Sequence, residues 1–508
     1  MAQSRTKNVS RNAIVAIICQ VANLLLNFII RTVFIKELGA EYLGVNGLFT
    51  NVLTILSFAE LGIGNAIIFS MYKPLATNDT EEIKSLMHLY KTAYNYIGIL
   101  VAVVGLGVTP FLDYIIKEKP DIPENISILY LLFLANTVVS YFFTYKKNII
   151  IADQKSHIVI GVSQIVILIK TVFQITFLKL THQFLIYLLL QILFTIADNL
   201  VCSVIADKMY PYLKEPATPL GKEKTQKIFT DVKALALYKF GSVILNGTDN
   251  ILISAMIGVL EVGLVSNYLL LTSSCNLLLN KVTEVFTSSV GNLNATEGEE
   301  KQYNIFKKLF FLTSWIFAFA SVGLMLLSQD FITTWIGEDY LLSNAVLLAI
   351  ISEFYVKGVH SVAWTYRSTL GLFVEGKWSA LMAALINLGL SVLFCSKLGL
   401  LGIFLATPIS RIITLGIVDP VLIFHKGFKK NVGQYYWNYI LYTAIYLAIA
   451  VICRFALNIV TISGWAGIIV KMILVTVVFN SMVALIFSPT KMFKELLGMV
   501  KNMLFHKR

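Results

Sequence analysis

Charge is scarce in this chain. Asp, Glu, Lys and Arg make up 14% of its 508 residues, against roughly 25% in soluble domains, so an ordinary water-facing globule is excluded. No polar stretch is long enough to house a catalytic domain. No phosphate-cradling Gly-rich loop ending in Lys-Ser or Lys-Thr occurs, which excludes a built-in ATPase. The six histidines are scattered without metal-ligand spacing. Asp330, Glu338 and Asp339 fall in one short connection and read as solvated charges rather than a catalytic pair. The five cysteines (Cys19, Cys202, Cys275, Cys395, Cys453) all lie in apolar segments, which excludes a disulfide framework and leaves small buried apolar residues. The first apolar run lacks a small-residue cleavage site and reads as a span that also directs insertion.

Apolar sequence is what abounds. The hydrophobic fraction is 57% and the mean hydropathy +0.76. A helix needs roughly 20 apolar residues to cross the hydrocarbon with its backbone internally bonded, and about fourteen stretches qualify. They lie near 12–35, 44–72, 86–110, 126–145, 157–178, 184–206, 234–256, 262–291, 307–328, 342–366, 377–396, 399–424, 435–457 and 464–487. The expected fold class is an all-α polytopic membrane protein with two six-helix bundles and two extra C-terminal helices.

The net charge of +12 is not a nucleic-acid signature. Most Lys and Arg fall in alternate connections, as the positive-inside rule describes, and this places both termini in the cytoplasm. The longest polar connection, 207–233, reads as a cytoplasmic linker. It divides residues 1–206, an N-terminal bundle, from 234–431, a C-terminal bundle, with 432–508 adding two helices and a basic cytoplasmic tail. A weak repeat supports the division. The stretch from Leu38 to Asn46 and that from Ile257 to Asn267 are both short, Gly-bearing and acidic, and both enter long spans. Transporters commonly arise from such repeats, with substrate held between the halves.

Polar residues inside apolar helices are the informative ones, since a charge at the bilayer centre costs about 2.5–3.5 kcal/mol on insertion scales. Gln20, Asn23, Asn27 and Arg31 share one face of the first span. Such a face either seams two helices or lines a cavity. The seventh span carries Asn246, Asp249 and Asn250, and the eighth Asn276, Asn280 and Glu284, with Lys281 alongside. Ser163, Lys170 and Gln174 share a face of the fifth span; Gln191, Thr195 and Asp198 share one of the sixth. Glu353 and Lys357, one turn apart, are expected to pair, with His360 nearby and Arg411 and Asp419 in the twelfth span. Glu60 lies mid-way through the second span beside Gly62 and Gly64, where the helix can bend. Lys239, Arg454 and Lys471 lie near span ends and are expected to snorkel. Arg31, Lys170, Lys281, Lys357 and Arg411 are cations at depth, and a phosphate-bearing substrate would balance them.

The run Arg31-Thr32-Val33-Phe34-Ile35-Lys36-Glu37-Leu38-Gly39-Ala40-Glu41-Tyr42-Leu43-Gly44-Val45-Asn46-Gly47-Leu48-Phe49 continues through Ala59-Glu60-Leu61-Gly62-Ile63-Gly64-Asn65-Ala66 to Tyr72-Lys73-Pro74-Leu75. It resembles the Wzx-type polysaccharide flippases, the polysaccharide-transporter branch of the multidrug/oligosaccharidyl-lipid/polysaccharide exporter superfamily. The specific match covers spans one and two; chain length and layout extend it less specifically. The resemblance implies a transporter, not an enzyme. Its substrate would be undecaprenyl-pyrophosphate-linked oligosaccharide, moved to the outer leaflet of the bacterial plasma membrane by alternating access of two bundles. The polyprenyl tail would stay in lipid or along a groove involving spans thirteen and fourteen.

On that reading Arg31, Lys170, Lys281 and Arg411 serve the pyrophosphate, while Gln20, Asn23, Asn27, Asn246, Asn250, Asn276 and Asn280 line the cavity. Glu60, Asp249 or Glu284 binds a coupling proton or sodium ion. No cofactor and no nucleic acid are expected. The partners are membrane lipids, the lipid-linked substrate and the polysaccharide assembly machinery, with the chain itself a monomer. The alternatives are a drug or metabolite exporter of the same superfamily, which would want an acid-dominated cavity, and a membrane polysaccharide polymerase, which would want a larger outer loop than 111–125.

Overall fold

The computed structural model describes residues 2–496 and 498, apart from 61–62, 227, 229–231, 233–240, 242, 246, 297, 373–374 and 377. The side chains of 2–11, 13–14, 58–59, 65 and 281–296 also lie outside the described set. The described residues are helical, with no strand among them. The first helices are α1 (Ala2–Leu38), α2 (Ala40–Leu56), α3 (Ile63–Thr77), α4 (Thr80–Val108), α5 (Leu112–Ile115), α6 (Ile126–Thr144), α7 (Lys147–Ala152), α8 (Ser156–Thr181), α9 (Phe184–Met209) and α10 (Asp249–Met256). They are followed by α11 (Val259–Thr296), α12 (Glu299–Trp335), α13 (Asn344–Thr369), α14 (Ser379–Leu398), α15 (Leu400–Ile413), α16 (Leu415–Leu422), α17 (Gly433–Leu457) and α18 (Gly464–Phe487).

Twelve helical segments among the described residues are long and apolar enough to cross a membrane. Of the two remaining expected spans, the seventh falls partly outside the described residues, and α10 is the helix in its described part. The second is not one continuous helix. It breaks after Leu56, passes through a 3₁₀ turn at Ser57–Glu60 and resumes at Ile63, so the bend expected beside Glu60 is a true interruption. The twelfth span breaks too: α15 ends at Ile413, Thr414 leaves helical geometry, and α16 runs into a π-helical turn at Ile423–Phe428.

Large apolar side chains such as Leu25, Val172, Leu193, Ile440, Leu447 and Ile473 point outward. In water such surface would be a liability; against lipid it is the required finish. The five cysteines are free thiols. This is a multi-pass membrane protein.

The chain divides into two compact units, Met1–Gly263 and Leu264–Arg508, so the division comes beyond the 207–233 linker. In the first unit α1 packs on α8, α8 on α9, α9 on α6 and α6 on α4. The linker is strapped to this unit. Tyr210 donates to Asp153 (2.7 Å), Lys84 bonds Glu215 (2.9 Å) and Lys224 bonds Glu82 (2.6 Å). Burial, then the Asp153 carboxylate, holds the Tyr210 hydroxyl well above its ordinary pKa.

The two repeated Gly-bearing connections meet within this unit. A Cβ on Gly44 would overlap the Val259 carbonyl oxygen, and one on Gly263 would overlap that of Ala40. The contact is reciprocal, each second glycine lying on the residue after the other's first glycine (Gly39, Gly258). Only glycine lets two helix backbones approach this closely. Ser254 and Lys117 then tie α10 to the α5 region, through Ser254 Oγ to the Ile115 carbonyl (2.9 Å) and Lys117 Nζ to the Met256 carbonyl (2.7 Å).

The second unit packs α12 on α13, α13 on α15, α15 on α14, and α12 also on α17 and α18. Aromatic rings fasten the last two helices to α12. Phe310 and Tyr435 lie 4.8 Å apart, as do Phe311 and Phe487. Lipid tails are as apolar as these side chains, so ring-on-ring packing rather than exclusion of water holds the contact.

Candidate functional site

The interruption after α2 exposes a carboxylate to hydroxyl groups. Tyr94 donates to Glu60 Oε1 (2.5 Å), Tyr90 donates to the Tyr94 oxygen (3.4 Å), and Asn148 donates to the Tyr90 oxygen (2.5 Å). Tyr141 brings a further hydroxyl close to Ser57 and Glu60. Tyr90 and Tyr94 stand one turn apart on α4, and a Cβ on Gly64 would come within 2.9 Å of both their oxygens. Glycine at 64 therefore lets α3 lie against the tyrosine pair. Among the described residues no Lys or Arg contacts Glu60.

On α1, Gln20, Asn23 and Arg31 are half-buried and Asn27 is exposed. The three amides make no side-chain hydrogen bond among the described residues. A helix-to-helix seam would have satisfied them. Arg31 lies near Tyr187 of α9.

The faces expected on α8 and α9 do meet, and there they form a seam. Ser163 donates to Asp198 (2.8 Å), and the amides of Gln174 and Gln191 are 3.5 Å apart. Lys147, which the sequence reading passed over, forms an ion pair with Asp198 (2.5 Å). Lys170 feels the same carboxylate.

In the second unit the buried cations are already matched. Arg411 holds Glu353 through Nη2–Oε1 (3.0 Å) and Nε–Oε2 (3.4 Å). Glu353 was expected to pair with Lys357 on its own helix. A guanidinium from α15 presents two parallel donors that an ammonium cannot, and it holds this carboxylate from another helix. Asp419, completely buried, bonds Arg367 and sits 2.9 Å from His360 Nε2. Arg367 also donates to the Leu372 carbonyl (3.0 Å) and Ser379 Oγ (3.1 Å). Lys471, expected to snorkel, bonds Asp330 (2.5 Å), so that acid is an ion-pair partner rather than a solvated loop charge. His360 and Arg411 line a mainly apolar cavity of about 470 Å³ with Tyr435, Tyr436 and Tyr439.

Among the other expected lining residues, Asn250 is buried with an Oδ1 that accepts no hydrogen bond. Asn276 is half-buried, and Asn280 is exposed. Asp249 is half-buried at the start of α10. Asn246 and the side chains of Lys281 and Glu284 lie outside the described residues. No cluster of potential metal ligands occurs among the described residues.

No protein-family model and no curated protein sequence matches the chain. Solved structures do. A lipid II flippase, MurJ, in an inward closed conformation superposes with a TM-score of 0.63 at 15% identity, covering 94% of this chain and 99% of that one. A multidrug resistance MATE family transporter of the MOP superfamily, inward-facing, gives 0.62 at 14% identity over 84% of this chain and 98% of that one. An outward-facing MATE transporter gives 0.55 at 14%, over 87% and 96%. The chain has the fold of these transporters. At such low identity the shared property is architecture, and function has to be argued from this chain's own residues.

Proposed function

We propose that the chain flips undecaprenyl-pyrophosphate-linked oligosaccharides across the bacterial plasma membrane for surface polysaccharide assembly, acting as a monomer with both termini in the cytoplasm. The observation that carries this reading is the extent of the match to a lipid II flippase, 94% of the chain against 84% for the inward-facing exporter. Stripping water from a pyrophosphate is prohibitive in hydrocarbon unless fixed cations replace it. Arg31 and Lys170 of the first unit are assigned that work, and the amides of Gln20, Asn23 and Asn27 bond sugar hydroxyls. Arg411 is a weaker candidate, because Glu353 holds it. Lys281 keeps its place from helical spacing alone. Glu60 is the coupling acid: hydroxyls can donate to a carboxylate or accept from a carboxylic acid, so its cage serves both protonation states. Asp249 and Glu284 stand behind it.

The test is deletion of the gene in its host, followed by leaflet-resolved analysis of lipid-linked sugars. Complete repeat units held on the cytoplasmic leaflet, with surface polymer lost, are expected. Single units that reach the outer leaflet without polymerising would identify a polymerase instead. Arg31→Ala and Lys170→Ala should each reproduce the deletion while the protein remains in the membrane.

A second reading, a drug exporter of the same fold, draws on the pairing of Arg411, Arg367 and Lys147 with acids. That pairing removes much of the apparent cationic excess. Normal surface polymer in the deletion strain together with new sensitivity to cationic dyes would favour the exporter.

A further inference from the structure

The second unit holds a cavity of about 920 Å³ between the end of α12, the start of α13 and the last turns of α17. One wall is apolar, made by Leu341, Leu347, Leu348, Leu447, Val451 and Phe455. The other is polar, and nearly all of it is satisfied internally. Gln329 accepts from Tyr268 (2.5 Å) and donates to the Leu342 carbonyl (2.7 Å) and Asn344 Oδ1 (3.2 Å). Asp330 is taken by Lys471. Arg454 is the exception. It is exposed on the cavity and has no acid partner and no hydrogen bond among the described residues.

Arg454 stands in the last turn of α17, a helix of 25 residues. A span of that length carries its final turn to the headgroup level, where a long cationic side chain meets lipid phosphates. An unmatched guanidinium beside an apolar trough has the polarity of a phospholipid, phosphate at one end and acyl chain at the other. Arginine also offers a phosphate two parallel donors.

We propose that this cavity binds one bilayer phospholipid, its phosphate on Arg454 and an acyl chain along Leu348 and Leu447. The site is separate from the cations assigned to transported cargo, and the lipid is a resident ligand of the second unit.

Full-length protein is delipidated in detergent and titrated with phosphatidylglycerol, and bound copies are counted by native mass spectrometry. One copy should bind at least tenfold more weakly to Arg454→Gln than to the unaltered chain. Leu348→Trp, which fills the apolar wall and leaves the charge in place, should weaken the same copy. Dioleoylglycerol, with the same chains and no phosphate, should not displace it. Unchanged binding in either variant, or displacement by dioleoylglycerol, overturns the proposal. So does preferential displacement by undecaprenyl pyrophosphate, which would assign the cavity to cargo.

Discussion

Glu60 in the first unit is met by tyrosine hydroxyls, whereas Asp419 and Glu353 in the second are met by arginines. All three are acids in apolar helices beside a break or a crossing, yet their surroundings suit them to different work. Removing the Asp419 carboxylate would leave the buried Arg367 charge unmatched. A buried charge without a partner is costly, and removing one member of such a pair typically costs about 3–5 kcal/mol. No described Lys or Arg pairs with Glu60, so replacing its carboxylate strands no described cation. These three acids therefore differ by partner rather than by depth: Asp419 and Glu353 face arginine, and Glu60 faces hydroxyls.

Asp419→Ala should have the largest effect, lowering stability by about 3–5 kcal/mol, measured as thermal unfolding in detergent. The double replacement Arg367→Met with Asp419→Leu should recover most of that loss, since neither charge is then buried alone. If the single variant is as stable as the parent, the structural role of the pair is wrong. Glu60→Gln should show the converse. Gradient-driven transport should fall at least tenfold, while the unfolding temperature stays near that of the parent, because an amide keeps the Tyr94 hydrogen bond.

Exchanging Glu353 and Arg411, as Glu353→Arg with Arg411→Glu, sharpens the contrast further. Each single variant should lose surface polymer through loss of protein, and the exchange should restore both. Selective loss of transport in the exchange, with normal protein levels, would instead return Arg411 to the cargo site. The smallest effect is expected from Tyr94→Phe. It removes one hydroxyl from the Glu60 cage, worth about 0.5–1.5 kcal/mol, and should shift the pH dependence of transport without abolishing it.

Much of this was legible beforehand. Helical spacing put Ser163 and Asp198 on polar faces of their own spans, which the fold brings together, and Gly62 and Gly64 marked a place where the second span could bend beside Glu60. Gln20, Asn23 and Asn27 follow a spacing visible in the bare chain. What spacing could not supply is the partner from another helix. The i,i+4 rule points Glu353 at Lys357, but packing of α13 against α15 brings Arg411 to it. Arg367 lies just past the expected tenth span, 342–366, yet the fold buries it against Asp419. Tyr90 and Tyr94 were not singled out, although their one-turn separation was an available signal; that they face the half-buried Glu60 appears only in the fold. The second span could not be told from a continuous helix by hydropathy, since averaging along it hides Ser57 and Glu60 of the short 3₁₀ turn among apolar neighbours.

The most direct measurement is flipping by the purified protein in vesicles. Undecaprenyl-pyrophosphate-linked oligosaccharide is loaded on both leaflets, a pH or sodium gradient is imposed, and the outer sugars are read by lectin or periodate accessibility. The account predicts gradient-dependent movement in the parent protein, and none with Glu60→Gln at equal protein. No movement of the lipid-linked sugar in vesicles that do transport a cationic dye would contradict it.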